Sequence, residues 1–340
     1  MKLPGRIPFT LTLLLLGVSS ALSDDFDGAS FSLRLPATLT RFSPFGDVAG
    51  DAGASSASKW ASSVNPAALA WSFAQDYKIG EGVQFSNVRF DSGTQLNFIS
   101  EATTFDAKDL GVFQISFGGI SSNERPVLDS PLLPLKFEYD LWGGRVNWGK
   151  RMGDLSVGAA FGLVHSDTDF HAPTFDAVHA SENLWLFRLG AQKEFAPHWL
   201  AGLVGDYSYG PTTTTTLAPR PGITEDATHQ FTLRPGLAYE FLPNALVHVD
   251  YVAGWFHNDS GRLDFQRVMT GVDIPLATGF FLRSGALVDW RGNFSWTAGL
   301  GFHPSKNYGL ELAYQNDMFP EIGSEFGHSR TLNASIHVQF

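Results

Sequence analysis

Thr331-Leu332-Asn333-Ala334-Ser335-Ile336-His337-Val338-Gln339-Phe340 is the stretch whose reading decides the fold. In an extended chain successive side chains point to opposite faces. Leu332, Ala334, Ile336, Val338 and Phe340 therefore share one face, and Thr331, Asn333, Ser335, His337 and Gln339 share the other. Alone, this describes a half-buried strand. The fold follows from how often the pattern recurs and from what occupies each face.

Upstream the same grammar returns. Leu155/Val157/Ala159/Phe161/Leu163 oppose Ser156/Gly158/Ala160/Gly162, Trp185/Phe187/Leu189/Ala191 oppose Arg188/Gly190/Gln192, and Val247/Val249/Tyr251/Trp255 oppose His248/Asp250/Gly254. Phe294/Trp296/Ala298/Leu300/Phe302 oppose Ser295/Thr297/Gly299/Gly301. Weaker signals at Val83/Phe85, Leu96/Phe98 and Phe113/Ile115/Phe117 precede them, the last ending at Gly118-Gly119. One long strand spans Leu135 to Trp148, and a shift of apolar parity at Gly143-Gly144 predicts a glycine β-bulge there.

Aromatic residues decide which face is wet. Trp199, Tyr207, Tyr239, Trp255, Trp290, Phe302, Tyr308 and Tyr314 fall near the ends of apolar faces. A secreted β-sandwich has no need of such girdles, whereas a membrane barrel has lipid outside, water inside and aromatic belts at both interfaces. The sequence thus predicts an all-β, antiparallel transmembrane β-barrel of about 14 strands over residues 79–340. Short connections near 107–109, 151–153, 196–198, 242–244, 275–277 and 304–306 alternate with a second set, longer near 120–133, 168–181, 210–227 and 317–328 and tight at 91–93, 258–261 and 291–293, as periplasmic turns and generally longer external loops do. Thr212 to Thr216 reads as part of an exposed loop.

Met1 to Ser23 has Lys2 and Arg6, an apolar run from Phe9 to Val18 and Ala21-Leu22-Ser23, the order of a secretory signal. The chain carries a net charge of −11, and losing Lys2 and Arg6 with the signal makes it more acidic, so nucleic acid is not an expected partner. Absence of Cys excludes disulfides and thiolate metal sites. There is no phosphate loop and no His-Glu-x-x-His, so neither cofactor nor metal is expected. His248 with Asp250, or His337 near Ser335, could be cast as hydrolase parts, but a water-filled lumen already requires polar residues there. No catalytic residues are assigned. Asp167, Asp169, Glu321 and Glu325 read as a solvated acidic rim, with cations bridging lipopolysaccharide phosphates as the sharper alternative.

Between the signal and the first strand, residues 24–78 read as a packed, non-strand segment. Gly50-Asp51-Ala52-Gly53-Ala54-Ser55-Ser56-Ala57 supplies small residues, and Asn65 caps a short helix with Pro66 in its first position. Together with Asn65-Pro66-Ala67-Ala68-Leu69-Ala70, this segment resembles the FadL-like outer-membrane transport barrels, a family that includes hydrocarbon channels and PorV-type barrels. The resemblance implies that residues 24–78 form a hatch plugging the barrel, with Asn65, Pro66 and Ala67 as its motif. It implies passive uptake of a hydrophobic small molecule, such as a long-chain fatty acid or hydrocarbon, across the bacterial outer membrane. A PorV-like barrel that serves secretion without transport is the alternative. A lateral exit needs a break in the strand ladder, for which Gly118 and Gly119 are the candidates; the alternative is that these glycines only make room for the hatch. Phe340, with Val338 and Ile336, resembles the signal read by the barrel-assembly machinery.

Overall fold

The computed structural model describes residues 55–59, 61–72, 79–123, 125–128, 135–172, 175–216, 222–258, 261–277, 279–305, 307–319 and 326–340. The signal segment and residues 24–54 lie outside the described residues, as do Glu321 and Glu325.

Fifteen strands follow in chain order: β1 (Ile79–Phe90), β2 (Gln95–Asp106), β3 (Val112–Ser122), β4 (Arg125–Leu128), β5 (Leu135–Met152), β6 (Leu155–Ala172), β7 (Phe175–Ala196), β8 (Trp199–Thr216), β9 (Gly222–Leu242), β10 (Ala245–Asn258), β11 (Gly261–Ala277), β12 (Phe280–Asp289), β13 (Phe294–Ser305), β14 (Tyr308–Asn316) and β15 (Ser329–Gln339). Each pairs antiparallel with its neighbour, β1 closes on β15, and β3 reaches past the short β4 to pair with β5. Because β4 continues the β3 line along β5, the closed wall has 14 staves. Closure gives each stave a neighbour on both sides, which is how a sheet in lipid avoids an open edge.

Parity sets the faces as the sequence predicts. On β15 Leu332 and Ile336 lie exposed outside, while Ser329, Thr331 and Asn333 are buried inside. Around the wall Phe85, Ile99, Phe117, Trp142, Phe187, Leu203, Leu237, Val249, Leu300 and Leu312 are also exposed. That many large apolar side chains facing outward from one sheet require a lipid solvent. At the end that carries the start of β1 and the end of β15, hereafter the near end, rings pack in pairs between strands. Trp199 lies 4.7 Å from Tyr239 and Phe280 lies 4.5 Å from Phe302, centroid to centroid. No helix among the described residues is long and apolar enough to cross a membrane.

Three expectations fail. Residues 168–172 and 175–181 belong to β6 and β7, and 210–216 and 222–227 belong to β8 and β9, so these stretches are wall and only short connections remain. Thr212 to Thr215 accordingly pair with Asp226 to Ile223. Finally, Gly143-Gly144 holds no bulge, since the register of β5 with both neighbours runs through it unbroken. The parity shift has another cause. Tyr139 and Leu141 point into the lumen, while Trp142, Val146 and Trp148 point out, so the apolar residues change sides of a regular strand.

The near-end turns are tight. Two residues join β5 to β6, β7 to β8 and β9 to β10, and Gly153 supplies the positive φ of 69° that the first of these needs.

Candidate functional site

The lumen has two compartments. At the far end an apolar cluster faces inward: Val88, Phe90, Leu96 and Phe98 from β1 and β2, Tyr139 and Leu141 from β5, and Phe256, Leu263, Phe265, Met269 and Leu287 from β10 to β12. Met318, Phe319 and Phe326, beyond the ends of β14 and β15, fold over it. Phe90 packs against Phe326 at 5.3 Å and Phe319 at 6.0 Å between centroids.

The near half is polar and holds the segment 55–72. Its position is set by a trough of glycines. Gly149, Gly158 and Gly190 are register partners across β5, β6 and β7, and Gly202 pairs with Gly236 across β8 and β9. A side chain on any of the five would collide with the segment: Gly149 and Gly158 face Pro66 and Ala67, Gly190 faces Asn65, and Gly202 and Gly236 face Ser56. From Gly149 the Pro66 carbonyl oxygen would lie only 2.7 Å from a Cβ.

Asn65 is fully buried and knits the segment to itself and to the wall. Its side-chain oxygen accepts from the Ala67 N–H at 3.0 Å, capping the turn Pro66–Ala68, while Nδ2 donates to the carbonyls of Ser56 at 2.7 Å and Ala191 at 3.1 Å. Pro66 sits first in that turn, where no donor is needed. A helical turn, Leu69–Ser72, follows. At the other end of the segment, the buried Asp250 carboxylate accepts from Ser55 Oγ at 2.5 Å and from the Ser56 N–H at 2.7 Å. Arg234 Nε donates to the same carboxylate at 2.6 Å. Gln192 Nε2 donates to the carbonyls of Ser56 and Ser58, and Arg188 bridges Asp206 and the Ser63 carbonyl. Trp71 Nε1 donates to Ser156 Oγ at 2.7 Å, and the Arg151 guanidinium lies 3.7 Å from the indole centroid.

The structure thus brings Asn65, Pro66 and Ala67 together on the lumenal wall. Gly118 and Gly119 stand apart from them on β3, each paired on one side with β2 and on the other with β5. Between β9 and β10 the ladder keeps one register past Pro235, which has no N–H to donate, but lacks the rungs between Gly236–Asp250 and Leu233–Ala253. Ile336, Val338 and Phe340 lie along the closing seam, where Phe340 N–H donates to the Ile79 carbonyl at 2.8 Å. At the far rim Asp167 and Asp169 meet imidazoles: His165 Nε2 is 3.1 Å from Asp167, and His179 Nδ1 is 2.6 Å from Asp169. The glycine trough, Asp250 with Arg234, and the apolar far end were not identified as a site from the sequence. A recurring lumen-parity glycine in five successive strands was the signal for the first.

Solved structures resemble this barrel. The Ralstonia pickettii toluene transporter TbuX matches at 13% identity over 88% of this chain and 99% of that one, with a TM-score of 0.56. The Pseudomonas putida toluene transporter TodX matches at 14% identity over 84% and 95%, with a TM-score of 0.54. The chain shares the fold of these hydrocarbon transporters. The resemblance to FadL-like barrels read from the sequence therefore extends to the architecture of the wall. No family model matches the sequence, and no curated protein matches it.

Proposed function

We propose that the chain is a bacterial outer-membrane channel for passive uptake of hydrophobic small molecules of the long-chain fatty acid or hydrocarbon kind. The observation that carries this reading is the apolar cluster inside the far end of the lumen. A barrel in a membrane is surrounded by lipid and gains its apolar burial outside, so its interior is ordinarily polar. Turning Phe90, Phe98, Phe256, Phe265 and Met269 inward gives the external mouth a surface that strips water from an apolar molecule. The described strand topology supports the orientation, since both strand termini and the tight turns share the near end, which becomes the periplasmic one. The solved transporters of like fold lend support of the same kind.

In this reading residues 24–78 are a hatch, and the described part, seated in the glycine trough by Asn65, Pro66 and Ala67, blocks the polar half of the lumen. A ligand leaving the apolar mouth moves the hatch or parts the wall. Gly118 and Gly119 remain the proposed side exit, and opening there must break backbone pairs on both sides. The exposed outer belt meets membrane lipid and lipopolysaccharide, and the strand ending in Ile336, Val338 and Phe340 is the part read by the assembly machinery.

The test is uptake of oleate and of toluene into liposomes carrying the purified barrel. We expect uptake above that of empty liposomes and its loss on replacing Phe98 with Gln, with the heat-modifiable barrel retained. Wild-type liposomes that take up neither compound would overturn the proposal.

A further inference from the structure

A second constellation lies on the inner wall near the periplasmic end, away from the 55–72 segment. His303 on β13, Glu311 on β14 and His337 on β15 all face inward, and their ligand atoms lie within 4.8 Å of one another. His303 Nε2 is 3.2 Å from Glu311 Oε1, and the two imidazoles meet edge-on with centroids 4.8 Å apart. The wall makes room for this arrangement. Gly309 is the register partner of His337, and any side chain there would overlap the imidazole.

The carboxylate is held from behind. Arg283 Nη1 donates to Glu311 Oε2 at 2.7 Å, leaving Oε1 toward the histidines, and Asp273 approaches Arg283 at 3.6 Å. Arg283 therefore orients the carboxylate while Asp273 offsets its charge, an outer shell of the kind that tunes metal ligands. Two imidazoles and one carboxylate are a donor set suited to zinc and its neighbours, whereas calcium and magnesium favour oxygen alone. Such ions sit about 2.0–2.2 Å from each ligand. Reaching that geometry requires a contraction of about an ångström, which turning the two half-buried imidazoles supplies.

We propose that His303, Glu311 and His337 bind a zinc-class divalent cation, with a fourth coordination position left for water or another lumenal group. The ion ties β13, β14 and β15 together beside the seam where β15 meets β1. This site is independent of the transport reading.

The experiment titrates Zn²⁺ into tag-free, full-length barrel in detergent, followed by calorimetry. We expect one saturable equivalent, weakened more than about tenfold by His337→Ala or His303→Ala, and no comparable uptake of Mg²⁺. Cobalt(II) added to the wild-type protein supplies a reading that needs no variant, and we expect the intense ligand-field bands of a four-coordinate ion. Absence of saturable Zn²⁺ binding, binding by His337→Ala and His303→Ala equal to wild type, or a cobalt spectrum like that of the aquo ion would each overturn the site.

Discussion

Asn65 and Gly190 compete for one volume: a methyl group on the glycine would overlap the Asn65 side-chain oxygen. That oxygen is already committed to the Ala67 N–H, and the neighbouring nitrogen to two carbonyls, so the asparagine has no freedom to step aside. Gly190→Leu should therefore displace the 55–72 segment from its trough while leaving the exterior of β7 unchanged. The expected outcome is a heat-modifiable barrel whose conductance in planar bilayers rises severalfold over wild type. A conductance equal to wild type would mean that the segment does not obstruct the lumen.

Asp250 carries the other end of the segment. Its carboxylate gathers a hydroxyl, a backbone N–H and the Arg234 guanidinium, and Arg234 and Asp250 have side chains only 10% and 1% exposed. Removing one partner of so enclosed a pair strands the other charge, at a cost of about 3–5 kcal/mol. Asp250→Ala should lower the denaturant midpoint of the refolded barrel by a corresponding amount, and Arg234→Met with Asp250→Ala should recover part of the loss. A double variant no better than the single one would show that the damage comes from the lost contacts to Ser55 and Ser56 instead of the stranded arginine.

These contacts explain which parts of the molecule the sequence reveals. The wall was legible because lipid imposes one rule on every stave, and a period of two survives in Leu332, Ala334 and Ile336 without knowledge of any neighbour. The rule lapses where strands rise above the lipid. Thr212 to Thr216 lost their apolar partners there and resembled a loop, although β8 continues through them. It also lapses where the interior turns apolar, which made the inward Tyr139 and Leu141 look like a slip of register at Gly143-Gly144. Asp250 reads as one polar residue among many because its partners Ser55 and Ser56 stand 195 and 194 positions away. His303, Glu311 and His337 were hidden for the same reason, since each comes from a different strand and no spacing links them.

The far-end connection between β14 and β15 should respond to pH. His328 is exposed and lies 2.9 Å from Asp317, and hydrogen bonding to that carboxylate, reinforced by its charge, raises the imidazole above its ordinary 6.5. A raised value in the folded state means that the contact contributes in full below 6.5 and is lost as pH rises through the folded value. Titration followed by imidazole NMR should place His328 above 6.5, and Asp317→Asn should bring it back down. The protection of the amides at residues 326–328, measured against their intrinsic exchange rate at each pH, should fall on the alkaline side in the wild type and show no such fall in the variant. An unshifted His328 would show that the pair does not form in solution.

Phe340 separates assembly from stability. It closes the seam through two backbone bonds to Ile79, donating at 2.8 Å and accepting at 3.5 Å, while the residue as a whole is 67% exposed. Each such bond contributes only about 1 kcal/mol net, and an exposed ring adds little more once lipid surrounds it. Deleting Phe340 should therefore leave the denaturant midpoint of the detergent-refolded barrel within about 2 kcal/mol of wild type. If the assembly machinery reads this end of β15, the same deletion should sharply reduce the heat-modifiable fraction recovered from membranes. Equal membrane yields for the two proteins would remove Phe340 from any recognition role and leave it as the last rung of the seam.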